Sequence, residues 1–497
     1  MSRLLGCVAL VVLAVTVPGA AGVAPPPPFP EDHRQLTRTI TFAEMESFLR
    51  SVDGTGPVHV TIEGTSTAGR ALYVVHLSHG GDTRWRVLFY AQQHGDEVAG
   101  KNALLYMVRD IARDPSLLPP DVEVWMMPMV NPDGGEALTR RNGAGADLNR
   151  DHMTLAQPET AALHRLARRL RPDVAVDCHE FGRDSEDWRA RGWLKWPDVT
   201  MDGLDNPLFD PAVTVAAARW VEEAGPVCAA AGHPFLRYWV GGAPPDAEQR
   251  HSAPDLDGGL NAIGVYGGLS FIIESAVRWN AADPMADLGN RVDAYSVLLW
   301  RFVRGDGHRD EDLAAIAGAR SRALPAFIPT NYLWVNPGMT VTDFPVFEVA
   351  SGRRITVPTA NMMTAMAVKQ SVPAPLGYAV VPAAADEFCA LLDRHGIPYE
   401  MLAAPRTVRA ESCTLLRVED EFDDVYNRYE GRQIVKREAA AERELPAGAV
   451  WVALAGEAAI RAALLLEPTA MYGLYQYPSF RALVGQDGAI PVLRVVR

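Results

Sequence analysis

Cysteine is scarce in this chain, with five in 497 residues, and one of them, Cys7, lies inside an N-terminal apolar run. The remaining four, Cys178, Cys228, Cys389 and Cys413, could pair in three ways in an exported protein or stay as free buried thiols. A chain of this length does not need cross-links to fold. Positive charge is also short: 47 Lys and Arg stand against 61 Asp and Glu, a formal charge of −14. General binding to nucleic acid or to anionic membranes needs clustered cations, so neither partner is expected. Beyond the N-terminus no apolar run approaches the ~20 residues that cross a bilayer, which excludes stable membrane insertion of the mature chain. There is no internal repeat, and the only low-complexity tract is Pro25-Pro26-Pro27-Pro28.

What is present is an ordinary globular balance, 48% hydrophobic and 22% charged, which argues against long disorder. The length exceeds what one hydrophobic core usually supports, so two domains are expected. Arg3, an apolar stretch over residues 4–17 and the small residues Gly19-Ala20-Ala21-Gly22 have the layout of a secretory signal peptide. Residues 1–24 are therefore assigned to a signal peptide, and a secreted or periplasmic, cell-envelope location follows. Residues 25–39 read as a stiff proline-rich spacer. Residues 40–305 and 306–497 read as a catalytic domain and a C-terminal accessory domain.

The first of these alternates between strand-like and helix-like segments. Residues 86–91 form a short apolar run suited to a strand buried on both faces, and Leu104, Leu105, Val108 and Ile111 then recur at helical spacing. Residues 122–130 are again apolar and close on the turn Asn131-Pro132-Asp133-Gly134. Residues 159–171 read as a helix stopped by Pro172, and residues 174–176 and 269–273 as further buried strands. The fold class is α/β, with a mixed, largely parallel central sheet flanked by helices. Residues 324–375 have β character, and two strand–helix units follow, at 378–381 running on towards Gly396 and at 450–466. The accessory domain is thus of β and α/β character.

In open α/β sheets ligands bind beyond the carboxyl ends of the strands. His94 follows one strand run, Asn131 another, His179 follows "DVAVDC", and Glu274 closes "LSFII". These polar residues fall at one edge of the sheet. His94, Glu97 and His179 would make a two-histidine, one-carboxylate zinc site with an open fourth position, able to produce a water nucleophile at neutral pH. A second His-x-x-Glu at His308 and Glu311 follows Gly-Asp-Gly, has no strand-end position and reads as a solvated helix start. The stretch "TRRNGAGADLNRDH", residues 139–152, leaves the same edge with Arg140, Arg141, Asn149 and Arg150 in a glycine-containing loop. Guanidinium groups there could fork onto a substrate carboxylate and polarise a carbonyl.

Taken jointly, these stretches resemble the zinc carboxypeptidase family, the carboxypeptidase A/B-like enzymes, in a bacterial-type secreted form. The matching residues are His94-Gly95-Asp96-Glu97, "VNPDG" from Val130, "RRN" from Arg140, "GADLNRD" from Gly145, "DCHE" from Asp177 and "FIIE" ending at Glu274. The resemblance spans about residues 40–300. It implies one Zn²⁺ per chain held by His94, Glu97 and His179, and Glu274 as the general base. It also implies Arg140 as oxyanion stabiliser and Asn149 and Arg150 as the grip on the substrate's terminal carboxylate. Asp147 would hydrogen-bond a ligand histidine. The expected function is a zinc metallocarboxypeptidase hydrolysing the C-terminal bonds of peptides or proteins. Two other functions fit the same residues: a zinc amidohydrolase or deacylase acting on N-acyl amino acids or cell-wall peptides, and a non-catalytic secreted binding protein on a peptidase scaffold. Digestive members carry a tyrosine shortly before the catalytic glutamate; neither Tyr266 nor Tyr238 has a matching context, and neither is assigned. The loop "RHSAPDLDGGLN" offers Arg250, His251 and Asp255 to a specificity pocket.

Overall fold

A computed structural model describes residues 29–277, 285–423 and 428–497. The stretch expected to be a signal peptide and the four prolines lie outside the described residues. Residues 29–36, expected as the end of a spacer, pack onto the fold. The ring of Phe29 meets Phe48 at 5.2 Å and Tyr106 at 4.8 Å, and His33 pairs with Asp293 at 2.7 Å.

The centre is an eight-stranded sheet: β1 Val58–Thr65, β2 Ala71–Leu77, β3 Trp85–Ala91, β4 Val122–Met127, β5 Val174–Gly182, β6 Val199–Gly203, β7 Phe235–Arg237 and β8 Leu269–Val277. Their spatial order is β1-β2-β4-β3-β5-β8-β6-β7. The middle of the sheet, β4-β3-β5-β8, is parallel, and antiparallel pairs flank it. Alternate residues of β3 explain the apolar run in the sequence. Val87 and Phe89 enter one core cluster, while Leu88 and Tyr90 enter another on the opposite face.

Helices cover both faces. On one side lie α1 Phe42–Val52, α2 Ala99–Arg113 and, later in the chain, α4 Pro211–Ala230 and α5 Leu288–Arg304. On the other lies α3 Pro158–Leu170, which buries Leu163, Leu166 and Ala167. Each start has a local cause. Thr41 and Glu44 form a capping box for α1, and α3 opens on Pro158, where the missing N–H costs nothing. Helix α3 ends with Arg171 in the left-handed region, one residue before Pro172. A further helix, α6 Arg309–Ser321, lies past residue 305 yet belongs to this core: Ile316 is buried in it, and Asp312 accepts a 2.9 Å hydrogen bond from the Trp220 indole.

The remaining chain forms a six-stranded antiparallel sheet with helices α7 Ala385–His395 and α8 Ala459–Leu466. Gly396, at φ +61°, terminates α7 in the left-handed conformation. A hairpin of Cys413–Asp423 and Arg428–Arg437 was not foreseen from the sequence. This part is stitched to the first. The strand Thr342–Glu348 pairs with the short strand Trp193–Lys195, and Met362–Met363 pairs with Gln249–Arg250. The four cysteines among the described residues are free thiols. No helix among the described residues is long and apolar enough to cross a membrane.

Candidate metal centre and cleft

The carboxyl edge of the parallel strands gathers His94, Glu97, His179 and Glu274. His94 sits three residues past β3 on a turn that only glycine completes, because a Cβ on Gly95 would lie 2.0 Å from the carbonyl carbon of Gly134. His179 and Glu274 belong to the adjacent parallel strands β5 and β8 and are register partners. The Tyr295 hydroxyl, from α5, donates to the main-chain oxygen of His179 and pins β5 from below. The neighbouring Glu180 is also buried, held by Arg291 and by the amide of Ala99.

Three ligand-type side chains converge. Nδ1 of His94 lies 2.7 Å from Oε1 of Glu97, Nδ1 of His179 lies 2.8 Å from Oε2, and the two imidazole nitrogens are 3.1 Å apart. The other nitrogen of each ring faces a carboxylate. Nε2 of His94 lies 3.2 Å from Oδ1 of Asp147, and Nε2 of His179 lies 3.0 Å from Oδ1 of Asp177. Arg140 closes the group, bonding Asp147 at 2.9 Å with its Nε.

Electrostatics explain what this cluster needs. Burial would drive the carboxyl of Glu97 up, yet His94 and His179 hold it far below its usual range. Burial opposes charge on both histidines, yet the carboxylates around them, Asp177 and Glu97 for His179, Glu97 and Asp147 for His94, hold their affinity for a proton above normal. Three carboxylates around two imidazoles thus demand positive charge, and one divalent cation supplies what two protons would. The donor set fits zinc. Two tetrahedral nitrogen ligands at zinc distances stand about 3.3 Å apart, and carboxylate-backed histidines are the usual outer layer of such a site.

A cleft of about 320 Å³ opens over the cluster, lined by Arg140, Asn149, Arg150, Arg250 and Glu274 among others. Asn149 is buried and accepts a 2.8 Å hydrogen bond from the amide of Gly259, while Nε of Arg150 lies 3.5 Å from Asp257. Burial pushes the carboxyl of Glu274 up to about 7, against the pull of His179. Of the loop candidates, Arg250 and Asp255 line the cleft. His251 does not: its Nδ1 binds the carbonyl of Tyr238 and its ring stands edge-on to Trp334. Tyr238 lines the cleft, whereas Tyr266 is buried elsewhere with its hydroxyl 2.9 Å from Nδ1 of His164. His308 lies apart, 3.0 Å from Glu223 near the start of α6.

One residue of the cleft was missed in the sequence. Lys195 is 8% exposed, its ammonium lies 5.5 Å from the Phe181 ring, and burial lowers its affinity for a proton while Glu274 opposes that shift. A signal did exist: the chain has only four lysines, Lys101, Lys195, Lys369 and Lys436, so a lysine inside "RGWLKWP" is unusual for this composition.

Sheet and triad together make an α/β domain with a candidate metal centre at the carboxyl ends of its parallel strands. Residues 45–176 match the sequence model of the zinc carboxypeptidase family. The matched stretch includes His94, Glu97, Arg140, Asp147, Asn149 and Arg150 and stops before His179 and Glu274. Carboxypeptidase 2 of Trichophyton tonsurans is 26% identical over 196 residues, 38% of this chain and 36% of that protein. Carboxypeptidase M of Mus musculus is 32% identical over 148 residues, 24% of this chain and 33% of that protein. The chain therefore spans about a third of the length of the curated relatives it matches. Among solved structures, a metallo-carboxypeptidase from Burkholderia cenocepacia is similar with a TM-score of 0.42 at 21% identity, over 53% of this chain and 68% of that one. Carboxypeptidase A from Helicoverpa armigera is similar with a TM-score of 0.43 at 15% identity, over 57% and 75%.

Proposed function

We propose that this protein is an exported zinc metallocarboxypeptidase that removes C-terminal residues from peptides. The observation that carries the reading is the convergence of the His94–Glu97–His179 triad with a buried carboxyl, Glu274, on the next strand of the same sheet edge. His94, Glu97 and His179 would hold the metal. When bound, zinc supplies Lewis acidity towards water and a carbonyl oxygen.

The chain's own residues supply the rest. Glu274 takes the proton of the attacking water and hands it to the leaving amine, a task suited to a carboxyl whose burial raises its basicity. Arg140, 3.1 Å from Nδ1 of His94, is placed to offset negative charge on the substrate's carbonyl oxygen. Arg150 and Asn149, on the cleft wall, orient the substrate through its terminal carboxylate. Asp147 and Asp177 hold the imidazoles in the orientation and tautomer that metal binding requires. The export and the peptide substrate are part of this proposal.

The test is a metal-content and activity measurement on one preparation. Stoichiometric zinc with release of C-terminal residues, and retained zinc with little activity in Glu274→Gln, are expected. Full activity in Glu274→Gln removes the base from its role.

A further inference from the structure

A second cavity, of about 110 Å³, lies away from the metal cleft at the seam where α8 meets the ends of α3 and α6. Five guanidinium groups border it: Arg168 and Arg171 from the end of α3, Arg320 and Arg322 from the end of α6, and Arg461 from α8. Three have carboxylate partners. Arg171 pairs with Glu457 at 3.0 Å, Arg320 with Asp173 at 3.1 Å, and Arg322 with Asp210 at 3.6 Å. These three hold the seam together.

Arg168 and Arg461 are different. Among the described residues each is hydrogen-bonded only to main-chain carbonyls, Arg168 to Asp393 and Arg394 and Arg461 to Gly396. The Nε atoms of Arg461 and of Arg320 are buried without a hydrogen-bond partner. Burial lowers the proton affinity of both these guanidiniums, and Arg168 lowers that of Arg461 further. Two charges are thus gathered beside a partly dry space with no carboxylate among the described residues hydrogen-bonded to either; Glu457 and Asp210, which also line it, are paired with Arg171 and Arg322. Leaving such groups unpaired is costly, and an anion from solution removes the cost. At about 110 Å³ the cavity has room for one small anion.

We propose that this cavity is a binding site for one tetrahedral dianion of phosphate size, held between Arg168 and Arg461. The guanidinium fork matches the oxygens of such an ion. Tyr266, whose ring lies 5.3 Å from the Arg461 guanidinium, fixes that side chain in place.

The experiment uses the full zinc-loaded chain and inorganic phosphate, with sulfate as a second tetrahedral dianion and chloride at equal ionic strength. Thermal stabilisation and a one-site calorimetric isotherm with phosphate and sulfate, and not with chloride, are expected. Arg461→Met should weaken binding about tenfold or more, the loss of one charge-assisted contact. Arg168→Met, at a half-exposed position, should do the same and keeps the test sound if the first variant folds poorly. Arg150→Met, in the metal cleft, should leave this binding unchanged. Equal responses to phosphate and chloride overturn the proposal, as does phosphate binding that survives both Arg168→Met and Arg461→Met.

Discussion

Glu274 and His179 face each other across two neighbouring parallel strands, as register partners of β8 and β5. The candidate base and a candidate metal ligand are thus fixed by backbone hydrogen bonds rather than by loops. Lys195, on the cleft wall, adds a positive charge that lowers the pKa of Glu274, while burial raises it. Activity needs the ionised carboxylate, so kcat/KM should fall as pH drops through the Glu274 pKa. In Lys195→Met that acidic limb should move to higher pH, because the ammonium no longer favours the charged form. A pH–rate profile of both proteins checks the shift; an unmoved or downward-moved limb contradicts it.

The carboxylates behind the histidines give a second expectation. Asp147→Asn and Asp177→Asn should each weaken zinc affinity about 10- to 100-fold while leaving the fold intact. Competition with a chelator of known affinity measures the loss. Retention of wild-type affinity in both would mean that the rings are oriented by packing alone.

Much of this site was legible in the sequence because β3, β5 and β8 are buried on both faces and announce themselves as apolar runs. Polar residues at their ends then stand out, as His94, His179 and Glu274 do. The rarity of lysine marks Lys195, but its place on the cleft wall depends on pairing of Trp193–Lys195 with Thr342–Glu348, a long-range register that no local pattern encodes. His251 reads the same as Arg250 in sequence, yet the strand Gln249–Arg250 ends between them, and the imidazole turns to Trp334. Helix α6 falls past the expected boundary because Gly305-Asp306-Gly307 reads as a break; Ile316 and Asp312 are its buried residues, with Leu313, Ala315 and Ala319 packed partly buried beside them.

The seam between the two parts makes a third prediction. Ending the chain at residue 305 removes α6, whose Ile316 is buried in the main core, and the strand that positions Lys195. It also removes His395, 2.9 Å from the carbonyl of Met153 beside the cleft loop. The truncated protein should be insoluble or lose activity and thermal stability together. A soluble fragment with unchanged melting temperature and activity would show that the C-terminal part is independent.

Stability should also depend on pH through His233. Asp198, and then Asp293 at 3.1 Å, raise its pKa above the usual 6.5. Its folded value exceeds its unfolded one, so its contribution is complete below about 6.5 and is lost as pH rises through the folded pKa. His233→Asn should therefore cost more stability at pH 6 than at pH 9. Denaturant melts at the two pH values test this, and an equal loss at both would contradict it.

The proposed enzyme recognises a free C-terminal carboxylate beside the His94–Glu97–His179 centre. Its most direct test compares one peptide with its C-terminally amidated twin, incubated with the zinc-loaded chain and read by mass. Stepwise loss of C-terminal residues from the free acid, abolished by chelator, is expected, with loss about 100-fold slower or more from the amide, where Arg150 and Asn149 lack their anion. Equal cleavage of both peptides, or cleavage at internal bonds, would contradict it.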